Sequence, residues 1–467
     1  MRAGKIGLLI VILAFGSTVE TAWRVRNHLG LDQWGWGVLR GRFYGPSFTF
    51  DAEQTETVSA DTAVEVENAF GGVTVTAGAP GQVRIALRKV VFLPQAERAR
   101  AFADRLVVQA RREGGILRVG TNRADLERTS GLEREVGFET HFDLVVPPGT
   151  AVKVASAHGP VHLSDVARAD VSSSFDTVRV ERVAGPATID ARHGDVRVEG
   201  VKGEVKVTDR HGDVTLQDVD GRAEVDMQHG DFVATRVGGL TFQGAHGDVR
   251  VEAVHGDLDV HTQHGEVRAH DVSGRALVET SFQGVTLGKV GGDATVHTEH
   301  GEIQVSDVGG AVDAKATFDD VALARIAGPV TVTVTHGAVR AQGVEKGARI
   351  HGSGDEVVLD GFRGPVDVDV ELGGVRLVPA AAVTEAVRVT ATHGAIEMDV
   401  PAGSRFLLQA SAQPGEIASD VRDLSITQTG MGHLAGSIGG GGAAVVLTTH
   451  HGDVRLRSSA TVAQKTP

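Results

Sequence analysis

The most constraining feature of this chain is a short unit that returns at a fixed interval. His-Gly-Asp occurs at His193, His211 and His229, each time eighteen residues on. The same corner position recurs at intervals of 18, with two intervals of 17, as His158, Phe175, His193, His211, His229, His246, His264, Phe282, His300, Phe318 and His336. A period of this length predicts stacked supersecondary units, so the two or three globular domains suggested by 467 residues are not expected.

Each eighteen-residue unit divides into two halves of nine, with a consensus near x-G-x-V-x-V-x-x-x. Apolar and charged residues alternate in each half, so Val196 and Val198 point to one side and Arg197 to the other. Such a short strand cannot bury its valine face alone, but coils stacked about 4.8 Å apart build a continuous core. The pattern predicts an all-β fold: a single-chain parallel β-solenoid of about 14 coils, on the order of 65 Å long, over residues 151–400.

The amino terminus predicts export. Arg2 and Lys5 precede an apolar run that extends from Ile6 to about Phe15, as in the n-region and h-region of a signal sequence. We assign 1–23 as a signal peptide or an uncleaved signal anchor that forms a hydrophobic helix, and 24–50 as a linker or juxtamembrane segment. The protein is therefore expected in the cell envelope, held at the membrane by this helix and facing the periplasm or the cell surface.

Irregular segments flank the periodic region and are expected to cap it, because an uncapped solenoid polymerises. Residues 51–150 form an N-terminal cap with one short helix, predicted between Pro94 and Gly115 with an apolar stripe of Ala99, Phe102, Leu106 and Val107. Residues 401–456 form C-terminal coils and a cap, and 457–467 a disordered tail. The ladder fades through Gly354 and Leu372 and returns out of phase at His393 and His451.

The layout resembles the bacterial putative-adhesin family of β-strand repeats, a DUF4097-like domain of unknown function. The matching stretches are "FDLVVPPGTAVKVASAHGPVHLSDV" and the coils "HGDVRVEGV" and "GGDATVHTEHGEIQVSDV", and the similarity covers roughly residues 60–455. The resemblance implies an exported parallel β-helix, right-handed, with no catalytic residues to carry over. Histidine at so many corners departs from the small polar residues expected there.

The histidine ladder is the first candidate site. Of 20 histidines, 12 precede glycine, and stacked coils would place successive imidazoles about 5 Å apart, near enough to suggest a shared transition metal. The candidate ligands are His193, His211, His229, His246, His264, His300, Asp195, Asp213, Asp231 and Asp248. We favour a stacked corner without metal, because Phe175, Phe282 and Phe318 occupy the same slot and cannot bind one.

Other chemistries are disfavoured, and we expect no cofactor and no enzyme activity. A calcium β-roll needs a G-G-x-G-x-D turn, whereas "HGDVRVEAV" has one glycine. A carbohydrate-active β-helix enzyme needs gathered carboxylates, and these acids are distributed one or two per coil. The net charge of −14 disfavours a nucleic-acid partner, and the absence of cysteine excludes disulfides and thiolate metal sites.

These observations predict a non-catalytic structural or adhesive protein whose partner is an unidentified protein or cell-surface ligand. The alternative is a periplasmic binding or sensor module that reads metal or pH through its His/Asp ladder; a carbohydrate-active enzyme is third. If the ladder senses pH, acidification is expected to relieve repulsion between stacked acids and to stabilise the rod.

Overall fold

The computed structural model of the chain describes residues 46–129 and 136–459. The predicted signal segment 1–23 with its hydrophobic helix, residues 24–45 of the linker and residues 460–467 of the tail lie outside the described residues. No helix in the described ranges combines the length and the apolar character needed to cross a bilayer.

The N-terminal part contains seven strands and two helices. In chain order they are β1 (Ser47–Thr57), β2 (Ala63–Phe70), β3 (Val73–Ala77), β4 (Gln82–Phe92), α1 (Ala96–Arg105), β5 (Val108–Glu113), β6 (Ile116–Thr121), α2 (Arg123–Thr129) and β7 (Gly137–Val146).

The regular solenoid follows. Its first strands are β8 (Ala151–His158), β9 (Val161–Ser164), β10 (Arg168–Phe175), β11 (Val178–Val183), β12 (Ala187–His193), β13 (Val196–Val201), β14 (Val205–His211), β15 (Val214–His229), β16 (Phe232–His246), β17 (Val249–Val254), β18 (Leu258–His264), β19 (Val267–Val272), β20 (Ala276–Phe282) and β21 (Val285–Val290). It continues with β22 (Ala294–His300), β23 (Ile303–Val308), β24 (Val312–Ala316), β25 (Val321–Ile326), β26 (Val330–Val334), β27 (Val339–Val344), β28 (Ala348–Gly352), β29 (Glu356–Phe362), β30 (Val366–Val370), β31 (Gly374–Pro379), β32 (Val387–His393) and β33 (Ile396–Val400).

Six strands complete the chain. They are β34 (Phe406–Ala412), β35 (Ile417–Ser419), β36 (Leu424–Gly430), β37 (His433–Ile438), β38 (Ala443–His451) and β39 (Val454–Ser458). Strand β39 therefore extends two residues into the predicted tail segment 457–467.

Each solenoid coil contributes one strand to each of two parallel stacks, which we call face A and face B. Face A holds β8, β10, β12, β14 and their successors, and face B holds β9, β11, β13 and theirs. Residues eighteen apart are partners, as in Val196↔Val214 on face B and Val205↔Ala223 on face A. Strands β15 and β16 each run through both faces. The predicted all-β parallel solenoid of about 14 turns is confirmed.

The core lies between the two faces and follows the alternation in the sequence. Val196, Val198 and Val201 are buried, whereas Arg197 is exposed. One apolar cluster runs from Val58 at the N-terminal end to Leu456 at the C-terminal end. Burial of a valine contributes roughly 1.5–3 kcal/mol, so the repeated valines hold the coils together.

At each end of the solenoid, the coils are stacked in an order that differs from their order along the chain. At the N-terminal end, β2 and β3 lie under β8 and β9, and β6 and β7 lie beyond them. At the C-terminal end, β38 and β39 pair with β32 and β33, and the earlier strands β34 and β35 stack beyond them. Antiparallel strands then cover the outer edges, β5 on β6, β4 on β7 and β37 on β34.

The predicted cap helix is shorter than expected. It ends at Arg105, and the following residues form a hairpin of β5 and β6, so Gly114 and Gly115 turn a hairpin and do not stop a helix. Ala99, Phe102 and Leu106 are buried as predicted, but Val107 is 46% exposed. The β-branched pair at 107–108 favours extended backbone, which overrides the helical pattern. Helix α2 was not predicted.

The ring ladder and its corner

Twelve rings stack in one continuous column along the corner where face A ends. Neighbouring centroids are 4.6–5.4 Å apart and neighbouring ring planes are within 22° of parallel. The column, which we call the ring ladder, consists of Phe70, His158, Phe175, His193, His211, His229, His246, His264, Phe282, His300, Phe318 and His336. Parallel strands in register impose the spacing, so the rings stack face to face and present their edges outward.

Glycine follows the histidine because the turn leaves no space for a side chain. Gly194 has φ +127°, and a Cβ there would lie 2.3 Å from the carbonyl oxygen of Asp176. At Gly230, with φ +119°, the corresponding distance to the oxygen of Gly212 is 2.0 Å. The coils therefore approach at the corner as closely as backbone atoms allow.

The aspartates of the ladder turn join one coil to the next. Oδ1 of Asp195 accepts the backbone N–H of Asp213 at 3.2 Å, and Asp213 accepts that of Asp231 at 2.9 Å. Asp231 and Asp248 accept the N–H groups of Asp248 and Glu266, each at 3.0 Å. Each carboxylate is thereby held beside the next, at the cost of repulsion between like charges.

The structure brings the ten candidate ligands to one edge of the rod but does not converge them. Parallel imidazoles about 5 Å apart have lone pairs that point in parallel directions, whereas two Zn–N bonds span at most about 4.2 Å. In the described ranges, no group of three or more His, Asp or Glu side chains is placed to hold a metal ion. A metal on this ladder would require the rings to turn out of the stack, and the stacked corner without metal stays a prediction.

A buried acid lies beneath the ladder at one coil. Asp209 is 1% exposed, and neither carboxylate oxygen has a hydrogen-bond partner of ordinary geometry. Its register neighbours are Ala191 and Met227, both buried and apolar. Burial raises the pKa of Asp209 to about 6, although the nearby backbone N–H groups of Arg210 and His211 offset part of the effect.

In some other coils the equivalent position carries a hydroxyl that donates a hydrogen bond to the turn. Ser173 donates to the carbonyl of Phe175 at 3.3 Å, and Thr280 to that of Phe282 at 3.4 Å. An ionised carboxylate cannot donate, and its burial between apolar neighbours favours the protonated form of Asp209. Strand alternation places Asp209 on the same inward side as Val205 and Val207, and this was the signal that could have identified it.

Two further groups in the same turn have shifted pKa values. Burial raises the pKa of Asp213, and the charges of Asp195 and Asp231 raise it further. Burial lowers the pKa of His211, as do its neighbours His229 and His193. Both shifts favour the neutral form, which is expected where like groups repeat along one axis.

A second column, which sequence reasoning missed, lies on face B. One residue per coil has a left-handed backbone near φ +50° to +70°, at Asp165, Arg182, Gly200, Asp218, Arg236, Ala253, Asp271, Lys289, Asp307, Arg325, Gly343 and Gly361. Acidic and basic residues follow each other here and pair between coils, as in Arg182–Asp165 at 2.8 Å and Lys289–Asp271 at 2.9 Å. The members share a backbone conformation and no side-chain type, so only their spacing of 18 could have revealed the column.

Each face also carries a shallow groove. On face A a groove of about 540 Å³ holds His261, whose Nδ1 lies 3.0 Å from Oε2 of Glu279 and whose Nε2 lies 2.8 Å from Oδ1 of Asp259. His297 approaches the same glutamate at 3.8 Å. On face B a groove of about 500 Å³ is lined by small residues such as Ala322 and Ala324. His261 and Glu279 of the first groove thus pair with each other, whereas the hydroxyls of Thr262 and Thr298 in its lining have no hydrogen-bond partner among the described residues.

Comparisons with known proteins find a matching family model and a similar solved structure. The family model described as Toastrack DUF4097 matches residues 149–306 and 235–457. No curated protein matches the chain. One similar solved structure is that of a putative cell adhesion protein from Clostridium sporogenes, which is 7% identical, with 88% of this chain and 100% of that chain covered and a TM-score of 0.13.

Proposed function

Since the chain belongs to the Toastrack DUF4097 family, we propose that it is an exported, non-catalytic β-solenoid that serves as a structural or adhesive element of the cell envelope. The observation that carries this proposal is that the repeated side chains contact the same side chains or turns of the next coil. Ladder rings stack on the next ring, turn aspartates accept the next coil's N–H, and the left-handed column forms ion pairs from coil to coil. These contacts extend a rod and rigidify it.

The charge distribution supports a binding or structural role over catalysis. A hydrolytic site would gather carboxylates whose pKa values are driven apart in one concavity. Here the carboxylates of Asp195, Asp213 and Asp231 lie in a line along the rod, and each caps a backbone N–H. A carbohydrate-active enzyme therefore remains the third candidate.

Export and membrane attachment are proposed from the charged and apolar pattern of residues 1–23. The test is protease treatment of intact producing cells and of cells with permeabilised envelopes, read with an antibody against the 151–400 rod. Cleavage on intact cells is expected for an adhesive surface protein. Protection until permeabilisation would confine the rod to the periplasm and end the adhesive proposal.

The second candidate, a periplasmic sensor of pH or metal, is favoured by the buried, unpaired Asp209 beneath the ladder. Metal sensing is tested by thermal melting of the protein with Zn²⁺. A rise in melting temperature that disappears in a His211→Phe/His229→Phe variant would support it, since phenylalanine keeps the stack and removes the ligands. An unchanged melting temperature would eliminate metal sensing.

The right-handed sense of the coil is also part of the proposal. It rests on the family resemblance, and an experimental density map of the rod would test it directly.

A further inference from the structure

The outward side of face B separates its charges into two rows that run along the rod. From β11 to β31, each strand of face B places two outward side chains in register with those of the next coil, two residues apart. In the first row the charged residues are all arginines, at Arg179, Arg197, Arg250, Arg268, Arg340 and Arg376. In the second row they are all acids, at Glu181, Glu199, Glu252 and Asp360, and the other positions of both rows are uncharged apart from His270.

Like charges therefore follow one another along face B. Arg250, for example, is the register partner of Arg268. Face A has no such sorting, and Lys206 pairs there with Glu224 of the next coil at 2.7 Å. Like charges at directly opposite positions of paired strands are destabilising. A surface of the opposite pattern would relieve this repulsion on face B.

The charges of face B are only partly neutralised within the chain. Arg197 lies 3.8 Å from Glu199 of its own strand, and both side chains keep more than a third of their surface exposed. Arg250 and Glu252 are exposed, and neither forms an ion pair with any residue that the structure describes. These side chains can meet charges on another molecule.

We propose that face B docks a second copy of this chain, with the two rods parallel and related by a two-fold axis along the rod. This rotation exchanges the two rows, so the arginine row of each copy faces the acidic row of the other at the same coil. Arg250 then faces the partner's Glu252, and the contact is made twice. An antiparallel pair, with its axis along the strands, would set arginine against arginine, so the charge pattern selects parallel rods.

Face B is large enough for a stable dimer. Its strands from β11 to β31 lie about 4.8 Å apart and contribute about six residues each at about 3.3 Å per residue, so face B offers on the order of 1,000 Å² per copy. A stable interface of standard size buries about 800 Å² per partner. The groove of face B lies in the uncharged stretch at Ala322 and Ala324, and would hold water between the copies.

The dimer would place both N-terminal ends at the same end of the pair. If each N-terminal segment holds its rod at a membrane, which rests on the proposed function, the two rods would stand side by side on one membrane with both A faces outward. The dimer is measured in solution, whereas the location of the rod is measured by protease treatment, so either proposal can fail alone.

The test is sedimentation velocity of the full chain in mild detergent over a range of concentrations. We expect a monomer–dimer equilibrium that weakens as salt is added. The acidic variant Arg197→Glu/Arg250→Glu and the basic variant Glu199→Arg/Glu252→Arg should each dimerise at least tenfold more weakly, because like charges then face each other. An equimolar mixture of the two variants should restore the dimer, because each row then faces the opposite charge.

A matched control separates this contact from a general effect of charge. Arg192→Glu/Arg210→Glu makes the same change in net charge as the acidic variant, at exposed positions beside the ring ladder. This control is expected to dimerise as the wild type does. Circular dichroism checks that each variant is folded.

A thiol crosslinker of short reach fixes the relative direction of the two rods. The chain has no cysteine, so the reagent acts only at introduced positions. Thr215→Cys chains are expected to crosslink with one another, since equal coils face each other. Thr215 and Gln304 lie five coils apart, about 24 Å, so a mixture of Thr215→Cys and Gln304→Cys chains should give only like-with-like products.

Three outcomes would overturn the proposal. They are a wild-type chain that stays monomeric, a mixture of the acidic and basic variants that stays monomeric, and crosslinks that join Thr215→Cys to Gln304→Cys chains.

Discussion

At the scale of single residues, Asp209 is an ionisable side chain whose burial disfavours its charged form. Its pKa is about 6 in the folded chain and near 3.9 in an unfolded one, so the folded state binds the proton more tightly. The free energy of unfolding is therefore highest below the pKa that Asp209 has in the unfolded chain. It decreases as pH rises from about 4 to 6 and stays lower above pH 6. Two pKa units correspond to about 3 kcal/mol at neutral pH.

Replacement of Asp209 by alanine, the residue at the equivalent position 191, is expected to raise the free energy of unfolding at pH 7.5 by up to about 3 kcal/mol. The substitution should also reduce the increase in the free energy of unfolding between pH 6 and pH 4. Urea denaturation at several pH values measures both effects. Asp190→Ala, at an exposed position of the neighbouring coil, is the control. An Asp209→Ala chain as pH-sensitive as the wild type would contradict the assignment.

His211 opposes this effect in the same turn. Its pKa is lowered in the folded chain, so below about pH 6.5 the unfolded chain is protonated first and stability falls. The predicted stabilisation by acid therefore depends on carboxylates such as Asp209 outweighing the imidazoles. The candidate pH response thus belongs to a buried aspartate that sequence reasoning did not identify.

Stacking in the ladder gives a second prediction at the residue scale. His193 contacts Phe175 at 5.1 Å and His211 at 4.9 Å between centroids. His193→Ala removes both contacts and is expected to destabilise the rod by roughly 1–3 kcal/mol, at about 0.5–1.5 kcal/mol for each aromatic pair. His193→Phe should change stability little, because phenylalanine already fills this slot elsewhere. Thermal melting distinguishes the two, and equal losses would mean that stacking contributes nothing.

At the scale of the coil, two glycines with positive φ differ in what surrounds them. A Cβ at Gly230 would lie 2.0 Å from the carbonyl of Gly212, whereas the nearest atom to one at Gly200 is 3.6 Å away. Gly230→Ala is therefore expected to cost more than about 2 kcal/mol, and Gly200→Ala about 1 kcal/mol from backbone strain alone. Urea midpoints of the two variants measure the difference, and equal losses would show that the corner can relax.

The strands and the ladder could be predicted from the sequence because both follow directly from a local period. Valine alternation fixes which side chains enter the core, and the spacing of 18 fixes which rings stack. The left-handed column escaped prediction because Asp165, Arg182 and Gly200 have no chemistry in common. The helix boundary failed at Val107, where strand propensity and the pairing of β5 with β6 outweighed the apolar stripe.

At the scale of the whole molecule, the order of the terminal coils was not readable from the sequence. His393 stacks on His451 at 4.7 Å although 58 residues separate them, because β38 is inserted between β32 and the earlier strand β34. A repeat period gives the partner of a strand only when coils follow in chain order. The interval of 58 between His393 and His451, in place of 18, is the trace of this insertion in the sequence. The inserted segment covers the last coil, to which it is covalently attached.

Deletion of residues 402–441 tests that cover. It leaves four residues between Val400 and Val445, close to the three between Val201 and Val205 in a regular coil, so β38 and β39 can still stack on β32 and β33. The deletion removes Phe406 and Leu408, which are buried against this coil, and uncovers its strand edges. The N-terminal end stays covered, so the uncovered edges of β38 and β39 can pair only with the same edges of another copy, and the variant is expected to self-associate as concentration rises. Sedimentation velocity measures this against the wild-type chain, which keeps the cover. A deletion variant that sediments as the wild-type chain does would show that the terminal strands are not what prevents the rod from associating.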